Sequence, residues 1–102
     1  MAEPLDIVDD ERAQRFVARV DGHEAELVYR READRLVLVH TEVPEALGGR
    51  GLGGQLVAAA VEDARARGLA VEPECPFARN WIERHPERVA GVVTVPAGDE
   101  EA

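Results

Sequence analysis

A glycine-rich stretch between an apolar segment and a helical pattern constrains this chain more than any other feature. Residues 48–54 hold five of the nine glycines, together with Arg50. The apolar run 36–43 precedes them, and apolar residues recur at helical spacing after them: Leu56, Val57, Ala60, Val61 and Ala64. Glycines let a backbone approach a ligand closely, and the free N–H groups and dipole of a helix N-terminus attract anions. Strand, glycine loop and helix in this order predict a phosphate-binding loop.

The length of 102 residues predicts one domain with one modest core. We expect this domain to span residues 7–96, with acidic flexible tails at 1–6 and 97–102. The formal charge is −9, but eight of the 21 acidic residues lie within residues 1–11 and 99–101. The other 13 nearly balance the 12 basic residues. This charge argues against a nucleic-acid partner bound through a broad basic surface.

Scarce residue types exclude several kinds of site. Every basic residue is an arginine, which excludes a lysine Schiff base and a P-loop lysine. The single cysteine excludes an internal disulfide, and His23, His40 and His85 form no close pair, so we expect no metal. No apolar run approaches the ~20 residues of a membrane span, and the acidic N-terminus is unlike a signal peptide. We therefore expect a cytoplasmic monomer that has no membrane partner.

Alternating apolar residues predict an antiparallel meander of three strands in the first half of the chain. The strands are expected at residues 14–20, 24–30 and 35–43, and Asp21-Gly22 forms the turn between the first two. The third is apolar on both faces and is expected to be the central strand. Residues 1–13 are expected to be a loose lead-in.

The second half predicts a β-α-β-α unit that begins with the third strand. The first helix follows the glycine loop and ends at Gly68, a suitable C-cap. Residues 69–72 predict a short strand parallel to the central one, because the crossover is helical. Pro76 suits the first position of a second helix, with Cys75 as its N-cap. Residues 89–95 form either a last strand or an irregular apolar cover.

Two common phosphate-binding motifs fit the glycine loop poorly. A Walker A loop needs a lysine that the chain lacks. Gly49, Gly51 and Gly54 formally satisfy the dinucleotide fingerprint G-x-G-x-x-G, and Glu72 lies 18 residues beyond Gly54. A dinucleotide-binding domain begins with this unit, however, whereas a meander precedes it here. Only 48 residues follow Gly54, too few for the remaining strands and helices.

The loop resembles motif A of the GNAT superfamily of N-acetyltransferases, [QR]-x-x-G-x-[GA], with Gly51-Leu52-Gly53 as the G-x-G part. The whole chain is similar to short, stand-alone GNAT-like proteins over about residues 14–90, and four stretches carry the similarity: residues 40–44, 50–53, 75–77 and 81–87. The resemblance implies a minimal GNAT fold of the α/β class, in which the central strand and the next parallel strand splay apart.

Acetyl-CoA is the cosubstrate that this resemblance implies. The backbone of Val43 would bond the pantetheine. Asn80 would touch the pantetheine or the adenosine end, or would have an ordinary surface role. The first motif position is Gly48, where the family usually has Gln or Arg, so Arg50 would supply the cationic contact. The pyrophosphate would lie on the N–H groups of the loop, which consists of Gly48, Gly49, Arg50, Gly51, Leu52, Gly53 and Gly54.

Three side chains are candidates for the chemistry of acetyl transfer to an amine. Glu42 would act as the base at the mouth of the cleft, and His40 would relay the proton. The family often supplies a tyrosine as acid for the leaving thiolate, but the single tyrosine, Tyr29, lies in the meander. Cys75 would replace it as an acid or a transient acyl acceptor, since a helix N-terminus favours a thiolate. Alternatively, Glu42 only bonds backbone, His40 is a core histidine and Cys75 is a small buried hydrophobe.

The acceptor is expected to be an amine, with a protein or peptide amino group favoured. Larger GNAT enzymes insert helices between their first two strands, whereas Asp21-Gly22-His23 leaves room only for a turn. The acceptor side would therefore be open. Two alternatives remain: a non-catalytic module that binds acyl-CoA, and an interaction domain that has lost the ligand.

Overall fold

A computed structural model describes residues 6–96 of the chain. The predicted acidic tails lie outside these residues, apart from Asp6. The elements in order are the strands and helices β1 (Ile7–Asp10), β2 (Arg15–Val20), β3 (His23–Glu32), β4 (Arg35–Glu42), α1 (Leu52–Arg67), β5 (Ala70–Pro73) and α2 (Pro76–Arg84). Short 3₁₀ turns at Glu45–Leu47 and Pro86–Arg88 precede α1 and follow α2.

The five strands form one mixed sheet in sequence order. β1 to β4 are antiparallel neighbours, and β5 pairs parallel to β4. The α/β class, the helical crossover and the parallel strand pair are therefore confirmed. The meander has four strands rather than the predicted three. β4 consequently lies fourth of five, and β3 occupies the middle of the sheet.

The extra strand, β1, was wrongly predicted as part of a loose lead-in. Its sequence Ile-Val-Asp-Asp shows no clear alternation, and acidic residues surround it. Tertiary contacts hold it instead. Asp9 accepts a 2.5 Å hydrogen bond from the hydroxyl of Tyr29 on β3, and Arg31 lies 3.5 Å from the other carboxylate oxygen. A strand stabilised by partners twenty residues away leaves little local signal.

Local sequence signals explain the turns at the ends of the regular elements. Asp21 and Gly22 have φ angles of +53° and +79°, as a tight turn of the I′ type requires. Gly68 ends α1 in the left-handed region with φ of +70°. Cys75 and Pro76 occupy the predicted N-cap and first position of α2. These predictions are confirmed.

Both helices cover the same face of the sheet. The core joins buried residues of α1, such as Leu56 and Val61, and of α2, such as Ile82, to inward residues of the strands: Phe16, Ala18, Leu27, Tyr29, Leu36 and Leu38. No helix among residues 6–96 covers the opposite face, which carries ion pairs such as Arg15 with Glu26 at 2.7 Å. Near the C-terminal end, Thr94 forms an isolated bridge to Val71, so the last segment is an irregular cover rather than a full strand.

Candidate functional site

A gap opens beside β4 where its pairing with β5 stops. The register of the two strands ends at Leu38 and Pro73, although β4 continues to Glu42. The carbonyl of Leu38 accepts hydrogen bonds of 2.9 Å from the N–H groups of both Glu74 and Cys75, which turns the chain away into α2. The predicted separation of these strands is therefore present. It exposes one backbone edge of residues 39–42, a surface that can hydrogen-bond an extended ligand.

A β-bulge sets the direction of the side chains that follow Leu38. On β3, Val28 pairs with His40 and Tyr29 pairs with Leu38, so Val39 is the extra residue on β4. Residues directly opposite in an antiparallel pair share a face. His40 and Glu42 therefore lie on the uncovered face of the sheet, whereas Thr41 lies on the helix-covered face.

The two predicted base and relay residues are neighbours in the structure. His40 Nε2 lies 3.5 Å from Glu42 Oε1, and the side chains are 60% and 68% exposed. His40 is therefore no core histidine, contrary to one of the two interpretations of the sequence. The pair is accessible to an acceptor molecule from the uncovered face.

Cys75 lies on the other side of the same gap. Its side chain is buried, with 4% of the residue exposed, and it makes no capping hydrogen bond to α2. Its Sγ is 3.3 Å from Oγ1 of Thr41. Thr41 was missed by sequence reasoning, because only the bulge at Val39 turns it toward α2. The gap thus has a carboxylate and an imidazole on one side and a hydroxyl and a thiol on the other.

The glycine loop leads from this gap to the uncapped start of α1. Gly49 and Gly51 have φ angles of +81° and +73°, which favour glycine. Gly51 is the N-cap and, having no side chain, leaves the first N–H groups of the helix without a capping partner. A cavity of about 320 Å³ lies here, lined by Val43, Pro44, Glu45, Leu47, Gly48, Gly49, Gly51, Leu52, Gly53, Gly54 and Phe77. Eight predicted cofactor-binding residues line or adjoin one space: Val43, Gly48, Gly49, Arg50, Gly51, Leu52, Gly53 and Gly54.

Gly53 and Gly54 have a packing role that the sequence did not reveal. A Cβ at Gly53 would lie 2.7 Å from Cζ of Phe77, and one at Gly54 would lie 2.7 Å from Nε1 of Trp81. These distances are shorter than any van der Waals contact. The two glycines therefore allow the first turns of α1 and α2 to pack closely. A substitution at either position disturbs packing as well as any bound anion.

Arg50 and Asn80 lie at the margins of this cavity. Arg50 Nη1 is 3.2 Å from Oδ2 of Asp21 in the β2–β3 turn, with the arginine side chain 49% exposed. Because an exposed pair of this kind is weak, Arg50 can exchange Asp21 for a phosphate. Asn80 lies outside the loop cavity and lines a smaller space of about 110 Å³ with Phe77, Trp81, Arg84 and His85.

The place where inserted helices are missing differs from the predicted one. Because β1 is a strand, the first two strands are joined at residues 11–14, and the Asp21-Gly22 turn joins the second and third. Both connections are too short to contain helices. The open side of the sheet that we expected is therefore present, but the short connection responsible for it is residues 11–14 rather than the Asp21-Gly22 turn.

The described part of the chain was also compared with the requirements of a metal site and of a membrane-spanning helix. Within residues 6–96, no group of three or more histidine, cysteine, aspartate or glutamate side chains is arranged to hold a metal ion. Over the same residues, neither helix has the length and apolar character needed to cross a membrane.

Comparison with known proteins agrees with this geometry. Residues 15–92 match the family model described as GCN5-related N-acetyl-transferase. Two proteins named Protein NATD1, from Homo sapiens and from Bos taurus, are each 33% identical to this chain over 86 residues. The alignment covers 81% of this chain and 76% of each relative. Protein NATD1 of Gallus gallus is 31% identical over the same length. The NMR solution structure of a GCN5-like protein from Staphylococcus aureus superimposes with a TM-score of 0.69 at 29% identity, covering 95% of this chain and 94% of that one.

Proposed function

The chain belongs to the GCN5-related N-acetyltransferase family, and from this premise we propose that it transfers an acetyl group from acetyl-CoA to an amine. The observation that carries the proposal is the gap between β4 and β5, which runs from the uncapped N-terminus of α1 to the His40–Glu42 pair. A helix N-terminus suits the pyrophosphate, and a free strand edge suits the amides of pantetheine.

The residues around the gap suit the tasks of acetyl transfer. In the proposal, the backbone of Val43 and the loop Gly48–Gly54 hold the cosubstrate, with Arg50 as the cationic contact. Glu42 takes a proton from the acceptor ammonium, directly or through His40. The neutral amine attacks the thioester carbonyl, forming a C–N bond as the C–S bond breaks. Cys75, beside Thr41, gives a proton to the departing thiolate, and the extra proton that the nitrogen loses as the amide forms restores the Cys75 thiol.

The accessible location of Glu42 favours an acceptor that reaches the site from the uncovered face of the sheet. With no helix over that face in residues 6–96, a side chain or chain terminus on a large partner can approach. We propose a protein or peptide amino group as the acceptor. A small metabolite is a weaker candidate for the acceptor, because its specific binding requires an enclosed pocket and this surface is open.

The main alternative is a non-catalytic module that binds acyl-CoA. It is favoured by one observation: the single tyrosine, Tyr29, is buried and bonded to Asp9 and Arg31, so it cannot protonate a thiolate in the gap. Under this alternative, Glu42 and Cys75 have no role in chemistry.

Thiol release from acetyl-CoA in the presence of amines and basic peptides separates the two functions. These 102 residues contain no lysine, so they offer no side-chain amine for self-acetylation. Mass spectrometry of added peptides therefore has almost no background from the protein itself. Acceptor-dependent thiol release supports the enzyme, whereas binding of acetyl-CoA without turnover over the whole panel supports the module.

A further inference from the structure

A second groove continues from the glycine loop along α1 and α2. It has a volume of about 330 Å³ and is lined by Gly51, Gly54, Gln55, Ala58, Phe77, Trp81, His85 and Arg88. It shares Gly51, Gly54 and Phe77 with the loop cavity. A ligand whose pyrophosphate lies at the start of α1 can therefore extend into this groove without leaving the surface.

Three side chains with N–H groups, Trp81, His85 and Arg88, lie against one another on the wall of this groove. The rings of Trp81 and His85 are stacked with centroids 4.5 Å apart and planes inclined by 24°. The Cζ atom of Arg88 lies 5.6 Å from the Trp81 ring centroid. Nδ1 of His85 is 2.9 Å from the Trp81 carbonyl oxygen, which orients the imidazole and leaves Nε2 as the second polar atom of the ring.

The backbone that carries Arg88 is fixed from α1. Arg65 donates hydrogen bonds to the carbonyl oxygens of Arg88, at 2.8 Å, and of Ala90, at 2.5 Å. The position of the Arg88 guanidinium is thus supported at both ends, by Arg65 under its backbone and by Trp81 under its charge.

The ion pairs of the molecule show that Arg88 is available to an external anion. Eight of the twelve arginines have a carboxylate oxygen within 4.0 Å. Within residues 6–96, the four without one are Arg12, Arg79, Arg84 and Arg88. In a chain with a net charge of −9, three of these four lie between residues 79 and 88. Of these, Arg88 lines the groove, and Arg84 lines the smaller adjoining space that shares Phe77, Trp81 and His85 with it. Among the described residues, two arginines without a carboxylate partner therefore lie beside this groove.

We propose that Arg88 and His85 bind the phosphate on the 3′ position of the coenzyme A ribose. The inference rests on the proposed function, since it extends the same ligand from the glycine loop into the neighbouring groove. It makes the site selective for 3′-phosphorylated coenzyme A over 3′-dephospho-coenzyme A. Trp81 acts as a positioning residue that holds both side chains.

Calorimetric titration of the whole chain with the two ligands tests this selectivity. The wild type is expected to bind coenzyme A about tenfold more tightly than 3′-dephospho-coenzyme A, as one charge-assisted contact at a partly exposed site provides. Arg88→Ala should lose most of this preference while keeping its affinity for 3′-dephospho-coenzyme A. Arg12→Ala is the matched control, because it removes the same charge from another unpaired arginine and should retain the full preference.

The possible outcomes separate this inference from the proposed function. Equal affinity of the wild type for both ligands overturns the 3′-phosphate assignment and leaves coenzyme A binding intact. A preference that persists in Arg88→Ala also overturns it. If neither ligand binds at millimolar concentration, the proposed function is overturned and the inference with it. Arg88→Lys should recover part of the preference, which shows that the Arg88→Ala effect comes from charge rather than misfolding.

Discussion

Oγ1 of Thr41 and Sγ of Cys75 lie 3.3 Å apart, where β4 and β5 separate. One residue comes from the strand and the other from the N-cap of α2, and the bulge at Val39 brings them together. Cys75 is buried and belongs to the hydrophobic core, with its thiol against the Thr41 hydroxyl. This pair is the structural basis for assigning the proton of the leaving thiolate to Cys75.

Cys75→Ala is therefore expected to lower kcat about a hundredfold, the usual contribution of a general acid, with little change in the KM for acetyl-CoA. Steady-state thiol release measures both constants, and thermal unfolding checks the fold. Thr41→Val is the companion variant. It keeps the thiol and should lower kcat less. Full activity in Cys75→Ala would show that the thiol only fills space.

Glu42→Gln should lower kcat by about a hundredfold while leaving the affinity for acetyl-CoA unchanged, because Glu42 faces the acceptor side of the gap. The loss should be smaller at high pH, where more of the acceptor amine is already neutral. Glu32→Gln is the control. Glu32 is an exposed residue at the end of β3 that lies away from Glu42, which pairs with Glu26 near the other end. If Glu42→Gln and Glu32→Gln have equal activity, Glu42 is not the base.

Gly53→Ala should destabilise the protein by about 1 kcal/mol, because its Cβ would force the half-exposed Phe77 ring to shift, a cost that the better helix propensity of alanine partly offsets. Gly48→Ala is the comparison: Gly48 has an ordinary φ of −62° and its Cβ would meet the Glu45 carbonyl oxygen at 3.2 Å, a longer distance than the 2.7 Å at Gly53, so its cost should be smaller. Urea unfolding measures both. In a double-mutant cycle, Phe77→Ala should relieve part of the Gly53→Ala loss. Purely additive effects would contradict the contact between Gly53 and Phe77.

Tyr29 should make stability fall between about pH 10 and pH 12. Burial, and then the hydrogen bond to Asp9, raise the pKa of Tyr29 from its ordinary value of 10 to about 12. The folded state therefore keeps a proton that the unfolded state loses over this range. Stability from this source is complete below pH 10 and is lost as pH rises through 12.

This titration is simple to observe, because Tyr29 is the single tyrosine and the chain has no lysine. Absorbance at 295 nm follows phenolate formation directly, and urea unfolding at pH 9 and at pH 11.5 measures the stability. Tyr29→Phe should show a smaller pH-dependent loss than the wild type. An identical loss in both proteins would mean that another group causes it.

The fold was largely predictable wherever its signals are local. The Asp21-Gly22 turn, the left-handed cap at Gly68 and the Cys75-Pro76 start of α2 are each specified by one or two residues. β1 was not, because contacts of Asp9 with Tyr29 and Arg31 hold it in place. These partners lie 20 and 22 residues from Asp9 in the chain, and no local sequence pattern predicts contacts over that separation.

The candidate site was predictable as a set of residues but not as a geometry. The position of the loop before α1 follows from its glycines, yet the packing of Gly53 against Phe77 depends on how α2 returns to α1. The bulge at Val39 decides which side of β4 His40 and Thr41 occupy, and no turn residue marks it. The pairing of Arg50 with Asp21 joins residues far apart in the chain, so the sequence did not reveal it.

The most direct test of the central claim is a ¹⁵N-HSQC titration with acetyl-CoA. Saturable shifts are expected in the amide signals of Gly49, Gly51, Gly53 and Gly54, the proposed pyrophosphate site, and of residues 39–43 along the free edge of β4. Amides of β1, at the far edge of the sheet, should not move. Absence of shifts in the glycine loop at millimolar acetyl-CoA, or shifts confined to other parts of the sheet, would contradict the central claim.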